Sequence, residues 1–399
     1  MNNTIKLAVA AALVAAASTA NAGIMIPAGD WTLDIGGVVN AYYTSTRVSG
    51  NGTTTAGFTP DALSGGNSGK TTSNITTGLL PNYLSVSGKT RQNDLDVAFT
   101  ISINPGTSTT AAGRQSAQQE NRQAFFTFGD ASWGSIKLGK DLGIYASDAI
   151  LNDMTLLGVG SGAGALAGNT TTLGRIGNGF MYADWKAQVA YSSPNWNGFS
   201  FTAGVTQAWN ASAGNGSRGG SEPAFEGKAS YAWAGDVAGK VWVSGITQKM
   251  KDANGVAGVN TRADSVDIGA NVNLAGFGLT GYYYTGNGIG QTLQFLGGFD
   301  AAGNKRDSNG GYVQGTYTIP GVGTKLGVSW GESKLDGNTG DTFSQTKDEM
   351  WTIGAYHPLT KHLNLVAEYS DQKHTVDAGT AAGGVGKAKT IALGGILFF

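Results

Sequence analysis

Histidine is the usual side chain for acid–base chemistry near neutral pH, and this sequence contains three: His357, His362 and His374. A hydrolase needs Ser and His side by side, whereas His357 and His362 flank a short predicted turn. Cysteine is absent, which excludes thiolate nucleophiles, thiolate metal sites and disulfides. The glycine-dense run 158–162 lacks the βαβ context of a phosphate site. The residues therefore predict no enzyme, no metal site and no cofactor.

The charge balance excludes nucleic acid as a partner. The chain carries 26 Lys and Arg against 27 Asp and Glu, so it lacks the basic surface that binds phosphate backbones. Charged residues make up only 13% of the chain, while Gly contributes 64 residues and aromatic residues 10%. Disordered chains show the opposite composition, with high charge and few aromatic residues. We therefore expect a folded chain.

The first 22 residues have the features of a signal peptide. Lys6 supplies a positive charge, residues 7–17 form an apolar run, and Ala20-Asn21-Ala22 provides small residues for cleavage. The run is shorter than the roughly 20 residues that a spanning helix needs. We expect residues 1–22 to be removed and residues 23–399 to form a single exported domain. An exported chain without an apolar helical span must be soluble and all-β, or must cross a membrane as a closed barrel.

Alternation with a period of two runs through the sequence and predicts strands. From Leu95 to Ile103 every second residue is apolar, and its neighbours are small or polar. The same pattern recurs over residues 199–206, 266–274 and 326–330. A helix would place these apolar side chains all around its axis. The segments number about sixteen, an even number as bacterial barrels require.

The connections between these strands alternate in length. Short turns alternate with long, polar, glycine-rich loops near 49–80, 104–121, 209–223, 251–261, 287–308, 335–346 and 375–386. This is typical of a transmembrane barrel, which has short periplasmic turns and long extracellular loops. The segment 143–180 differs because it is nearly devoid of strand pattern but carries apolar stretches. We expect this loop to fold into the lumen.

The energy of lipid exposure predicts which face points outward. A charged side chain facing lipid at the bilayer midplane costs about 2–4 kcal/mol, so the apolar face must be outside and the polar face must line water. In a soluble exported β-protein the same apolar faces would pack against each other. The signal peptide, the loop lengths and the apolar last strand favour the membrane barrel. An adhesin or autotransporter would need a large passenger domain, whereas strands here begin at Trp31.

The chain resembles the trimeric Gram-negative porin family of the betaproteobacterial type. The resemblance covers the whole mature length and rests on the ordered segments 121–125, 133–140, 175–178 and 189–200, and on the terminal Phe399. It implies an all-β transmembrane antiparallel barrel of about 16 strands with an inward-folded constriction loop. It also implies an outer-membrane channel for passive diffusion of small hydrophilic solutes, and a homotrimer in a membrane that contains lipopolysaccharide. Phe399 and Leu397 would be the signal for the barrel-assembly machinery.

The resemblance also suggests which residues line the constriction. In the family this loop presents carboxylates to an arginine cluster on the facing wall. The matching acids are Asp153 and then Asp148, and the matching bases are Arg122 and Arg175. Tyr83 stands where many relatives have a further arginine. Other charges expected in the lumen are Lys89, Arg91, Lys137, Lys186, Asp96, Asp267 and Glu368.

One functional alternative stays open. This alternative is a substrate-selective channel for sugars or anions. A sugar channel would place several Tyr or Trp side chains on the lumenal face of neighbouring strands. Tyr282 and Tyr284 share a face with Thr280 and are the feature that points to a sugar path.

Overall fold

The computed structural model describes residues 23–50, 71–107, 119–161, 171–208 and 222–399, so the predicted signal peptide lies outside the described residues. The strands are β1 Ile24–Ala28, β2 Trp31–Gly50, β3 Thr71–Thr76, β4 Tyr83–Gln92, β5 Leu95–Pro105, β6 Gln119–Asp130, β7 Gly134–Leu142, β8 Trp185–Ser192, β9 Phe199–Thr206, β10 Ala224–Trp233, β11 Val237–Met250, β12 Thr261–Leu274, β13 Phe277–Asn287, β14 Asp307–Thr318, β15 Lys325–Asp336, β16 Phe343–Pro358, β17 Leu363–Ala378 and β18 Gly384–Phe398. Helix α1 is Ser147–Asn152, and 3₁₀ turns span Met154–Leu157 and Ala253–Gly255. No helix in these ranges is both long and apolar enough to cross a membrane.

Sixteen of the strands form a closed antiparallel barrel, which confirms the predicted fold class. Strands β4 to β18 pair in chain order, and β2 joins β18 on one side to β4 on the other. Segment β1 pairs with β2 on the same edge as β18, and β3 pairs with β2 on the same edge as β4. At the seam, Phe399 N–H donates to the carbonyl of Gly37 (3.1 Å), and Gly37 N–H donates back (2.8 Å). The ring therefore satisfies the backbone groups that hydrocarbon cannot.

Side chains alternate between the two surfaces of this ring. Along β12, Val266 and Ile268 are 56% and 61% exposed, whereas Ser265 and Asp267 are 4% and 3% exposed. The same phase holds in β16, where Ile353 is exposed and Thr352 is buried. Apolar side chains thus face outward and polar side chains face inward, as the alternation predicts.

The wall is interrupted between β3 and β4, where residues 77–82 turn into the barrel and are buried. Asn40 on β2 replaces the missing ladder bonds. Its Nδ2 donates to the carbonyl of Leu80 (2.9 Å), and its Oδ1 accepts from Gly78 N–H (2.8 Å). Asn82 Oδ1 in turn accepts from Asn40 N–H (2.6 Å). The backbone of residues 77–82 is therefore partly hydrogen-bonded by Asn40 and Asn82. Its remaining N–H and C=O groups can bond to residues inside the barrel.

Placing a charge on the outer surface tests the assignment of faces. Ile268 lies near the middle of β12, opposite Val243 and Tyr283 of the neighbouring strands. We expect Ile268→Lys to lower the free energy of unfolding in lipid vesicles by about 2–4 kcal/mol, because a lysine at midplane depth must be desolvated. The matched control Ile268→Phe should change it by less than about 1.5 kcal/mol. Equal effects of the two substitutions, measured by urea titration in vesicles, would contradict a lipid-facing Ile268.

Candidate functional site

The described parts of the chain between β7 and β8, residues 143–161 and 171–184, fold into the barrel. In its described parts, apolar side chains are buried and pack against inward-facing wall residues such as Tyr312 and Tyr356. These side chains are Ile150, Met154, Leu156, Val159, Ile176, Phe180 and Met181. The inward segment 77–82 also supports the loop, since Leu79 N–H donates to the carbonyl of Gly158 (2.8 Å). Hydrophobic burial and backbone pairing together hold the loop inside the lumen.

Two buried glutamates of the wall anchor the start and the middle of this loop. Glu226 on β10 accepts from the N–H groups of Ile144 (2.8 Å) and Tyr145 (2.9 Å). Glu368 on β17 accepts from the N–H groups of Val159 (2.7 Å) and Gly160 (2.8 Å). Strands β10 and β17 are seven positions apart in the ring of sixteen, so the anchors lie on nearly opposite walls. Charge-assisted bonds to backbone N–H groups are about twice as strong as neutral ones.

Asp148 of α1 meets two wall lysines that the sequence analysis did not single out. Lys228 on β10 approaches Asp148 Oδ2 at 3.1 Å, and Lys240 on β11 bonds to Asp148 Oδ1. Burial alone would raise the pKa of Asp148, but the two ammonium groups hold that pKa below its ordinary value. The loop carboxylate is therefore ionised at neutral pH and faces two wall cations. Alternation marks Lys228 and Lys240 as inward-facing, but it does not indicate their height in the barrel.

Asp153 and Arg175 form a pair within the loop, which corrects the expected position of Arg175 on the facing wall. Arg175 Nε lies 3.9 Å from Asp153 Oδ1, and both side chains are 0% exposed. The Arg175 guanidinium also donates to the carbonyl of Met350 (2.8 Å) and to the hydroxyl of Ser329. Burial raises the pKa of Asp153 and lowers that of Arg175, and each charge partly offsets the shift of the other. Because Arg175 has no exposed surface, its contacts bind the loop to β15 and β16.

Arg122 does lie on the wall, in β6, where it forms an ion pair with a carboxylate of the same strand. Its Nε donates to Oε2 of Glu120 on the same strand (2.8 Å). Its guanidinium carbon is 5.8 Å from the centre of the Trp185 ring. The side chain is 5% exposed and lines an internal cavity with Leu80 and Trp185. Arg122 and Arg175 therefore belong to different clusters.

The other charges predicted for the lumen fall into separate groups. Lys186 contacts Glu226 at 2.6 Å, and Lys137 pairs with Asp141. Asp267 accepts from the hydroxyl of Tyr282 (3.0 Å). Towards the short-turn end, Lys89 is exposed on β4 and Arg91 bonds to Asp96 (2.8 Å) and Asp130 (3.0 Å). Of the predicted charges, Glu368 has the clearest structural role, as a loop anchor.

A second loop also enters the barrel, which corrects the prediction of an outer loop at 287–308. Ile289, Phe295 and Phe299 are buried in the same apolar cluster as the first loop. Gln294 Nε2 donates to the carbonyl of Tyr182 (2.9 Å), and Tyr182 N–H donates to the carbonyl of Thr292 (3.1 Å). Apolar residues within a predicted loop indicated that 143–180 folds inward, and residues 287–308 contain apolar residues of the same kind. The interior therefore holds two loops that support each other.

One Gly-x-Ser-x-Gly sequence occurs at residues 327–331, but its setting is not that of a hydrolase. It lies inside β15 rather than on a turn between a strand and a helix. Ser329 accepts a hydrogen bond from Arg175 and is 2% exposed. Its hydroxyl therefore contributes to loop anchoring.

A closed sixteen-stranded barrel with an apolar exterior, a polar interior and an inward loop defines an outer-membrane channel. The chain belongs to the Gram-negative porin family, whose model matches residues 8–377. Members of this family are channels for passive diffusion, and the protein is such a channel in the outer membrane.

Solved structures show the same fold. The channel DcaP of Acinetobacter baumannii is similar with a TM-score of 0.65 and 16% identity, covering 95% of this chain and 100% of that chain. OmpT of Vibrio cholerae gives 0.57 and 16%, covering 94% and 100%. Salmonella typhi OmpF, in complex with daunomycin, gives 0.56 and 17%, covering 93% and 100%. No curated protein sequence matches this chain.

Removing the Glu368 anchor should free the middle of the inward loop, around residues 159 and 160. We expect Glu368→Gln to speed hydrogen exchange at the amides of Val159 and Gly160 by roughly 10- to 100-fold, because a bond to a charged group contributes about 1.5–3 kcal/mol. Exchange measured by mass spectrometry in detergent checks this. Glu332→Gln, on the outer surface, is the matched control and should leave both amides unchanged. Equal exchange in the two variants would contradict the anchor.

Proposed function

We propose that the protein is a general, weakly ion-selective porin for small hydrophilic solutes, and that Asp148, Lys228 and Lys240 form its charged constriction. The supporting observation is one loop carboxylate opposed by two wall ammonium groups. The side chains of Lys228 and Lys240 are 24% and 29% exposed, so they contact lumenal water. In this proposal Asp153 and Arg175 hold the loop in place, and Arg122 charges a separate internal cavity.

This constriction acts by position and charge, without a chemical step. A sixteen-stranded barrel leaves an aqueous channel, and inward loops narrow it. The cluster of two ammonium groups and one carboxylate leaves a net positive charge beside the remaining passage, which discriminates ions by sign. With two cations against one anion at this point, a modest preference for anions follows. No bond in the solute is made or broken, so the proposed function is transport without catalysis.

The sugar-selective alternative loses its main support. A sugar path needs aromatic faces that a solute can reach, but Tyr282 and Tyr284 are 6% and 0% exposed. Both belong to the apolar cluster beneath the two inward loops, and the Tyr282 ring centre lies 5.7 Å from that of Tyr312. These tyrosines therefore pack the interior.

The proposed assembly is a homotrimer in a leaflet of lipopolysaccharide. The fold neighbour OmpT of Vibrio cholerae has been solved in a trimer form, and it shares 13% identity with this chain at a TM-score of 0.56. Removal of residues 1–22 as a signal peptide would leave Gly23 as the first residue. Leu397 faces outward and Phe399 closes the seam, so both are placed where the barrel-assembly machinery could bind them before closure.

Planar-bilayer recording tests this function. Purified protein should insert with three equal conductance steps and conduct without saturable block by sugars. We expect the double substitution Lys228→Gln/Lys240→Gln to shift the cation-to-anion permeability ratio towards cations by roughly fourfold. A unit charge about 8 Å away in water changes the energy of a monovalent ion by about 0.5 kcal/mol, which screening at physiological salt reduces to about 0.2 kcal/mol. Because the change has opposite signs for cations and anions, each lysine shifts the permeability ratio about twofold.

Two variants make the result specific. Asp148→Asn should shift the ratio in the opposite direction. Lys249→Gln/Arg262→Gln removes two cations from the outer surface and should leave the ratio unchanged. Permeability ratios that stay at the wild-type value in the Lys228/Lys240 variant would remove these lysines from the constriction.

A further inference from the structure

A cavity of about 130 Å³ lies inside the barrel next to the inward segment 77–82, and the proposed constriction does not use it. Its wall consists of small residues that follow one line of the sheet register. Gly36 on β2 is opposite Ser85 on β4, Ser85 is opposite Ser102 on β5, and that serine is opposite Gln123 on β6. Gly36 has no side chain and the serines have short ones, so space remains over this part of the wall. We name this space the seam cavity, because the barrel seam lies at its edge.

The polar part of the lining comes from three adjacent strands, β4 to β6. It consists of hydroxyl and amide groups, from Ser85, Ser87, Thr100, Ser102, Asn104 and Gln123. Gln123 Nε2 donates to Asp141 Oδ1 (3.0 Å), which leaves the side-chain carbonyl of Gln123 as an acceptor. Asn104 Nδ2 donates to the carbonyl of Asn82 (3.2 Å) and so holds the inward segment against the wall. Ser85 is half-buried, so its hydroxyl contacts lumenal water and can both donate and accept.

The apolar part of the lining comes from other elements. The inward segment and the residue after it, the start of β8 and the end of β18 supply Leu80, Pro81, Tyr83, Trp185 and Phe398. The guanidinium carbon of Arg122 lies 5.8 Å from the centre of the Trp185 ring and supports that ring from the wall. The polar and the apolar surfaces of the cavity are therefore separate. A solute inside meets hydrogen-bonding groups along one edge and aromatic or aliphatic groups elsewhere.

Charge further limits the class of solute. Among the described residues that line the cavity, Asp34 has the only charged side chain. Lys89, the next lysine along β4, is exposed and lies outside this lining. Gly23, the first residue of the processed chain proposed above, and Phe399 also line the cavity, and their terminal charges have opposite signs. The described lining therefore has no excess of positive charge that would favour an anionic solute.

The size of the cavity and its divided lining narrow the choice of solute further. A protein cavity of about 150 Å³ holds one benzene molecule, so the seam cavity is close to the size of a single aromatic ring. A sugar carries hydroxyl groups around its whole edge. Those that face Leu80, Pro81 and Phe398 would lose their hydrogen bonds to water without replacement, which weakens binding. A planar aromatic ring with a polar group on one edge leaves no such group unpaired.

We propose that the seam cavity binds a small, neutral aromatic solute that carries a carboxamide or a similar donor–acceptor group on one edge. The amide N–H donates to the side-chain carbonyl of Gln123, its C=O accepts from a serine hydroxyl such as that of Ser85, and the ring packs against Pro81 and Trp185. A ligand of this size binds with millimolar affinity, which is weak enough for release into the channel. This site goes beyond passive diffusion, because it retains one class of solute beside the path of the others.

Nicotinamide is the probe, and saturation-transfer NMR of the purified protein in detergent measures its dissociation constant. The measurement needs no conduction, so its result is independent of the proposed porin function. We expect saturable binding by the wild type, and about tenfold or more weaker binding by Ser85→Leu, because the larger side chain occupies the space of the ring. The matched control Ser192→Leu changes a lumenal serine of β8 outside the cavity and should bind like the wild type. Ser85→Ala keeps the space but removes the hydroxyl, and should weaken binding about fivefold.

Other ligands test the two parts of the proposal separately. Acetamide has the amide without the ring, and nicotinate has the ring with a carboxylate that cannot donate to Gln123, so each should bind about fivefold or more weakly than nicotinamide. Glucose should not displace nicotinamide. Equal nicotinamide binding by the wild type and Ser85→Leu would overturn the proposal, and so would displacement by glucose. The electrophoretic mobility of unheated protein confirms the folded barrel of each variant, and Ser85→Ala provides the test by itself if Ser85→Leu does not fold.

Discussion

The structure depends on one constraint, which is that a backbone polar group facing hydrocarbon must be hydrogen-bonded within the protein. Closure of the sheet follows from it, and so does the pairing of β2 with β18 and of Gly37 with Phe399. Where the ladder is interrupted at 77–82, Asn40 supplies the missing bonds. A closed antiparallel ring has one surface in lipid and the other in water. Alternation along each strand places apolar side chains in the lipid and polar side chains towards the water.

The interior shows how a barrel of this width is filled without a conventional core. Apolar side chains from two loops pack against inward-facing tyrosines, and carboxylates of the wall bind backbone N–H groups of the first loop. Burying an ion is costly, and the buried carboxylates here are ion-paired or hydrogen-bonded: Glu226 has Lys186, Asp153 has Arg175, and Glu368 accepts from two backbone N–H groups. The partly exposed group of Asp148, Lys228 and Lys240 is different because it touches water. In the proposed function, anchoring and conduction therefore belong to separate charges.

The sequence correctly predicts which side of each strand faces lipid, but it does not predict which side chains contact each other inside the barrel. Alternation over 266–274 identifies both the strand and its lipid-facing side, and the apolar stretches within 143–180 predict an inward loop. Period two does not reveal the height of a residue, so it could not place Lys228 and Lys240 beside Asp148. The second inward loop was missed because residues 287–308 are also rich in glycine and polar residues. Arg175 was expected on the wall because the resemblance supplies an order of segments, whereas side-chain direction depends on loop packing.

The most direct measurement is the oxygen accessibility of single nitroxide labels placed at successive positions from 265 to 272 of the barrel in lipid vesicles. The chain has no cysteine, so each label can be attached to one introduced cysteine without removing native thiols. The account predicts maxima at Val266, Ile268, Ala270 and Val272 and minima at the positions between them. A period of 3.6, a uniform profile or maxima at Ser265 and Asp267 would contradict a closed barrel with its apolar rows against lipid.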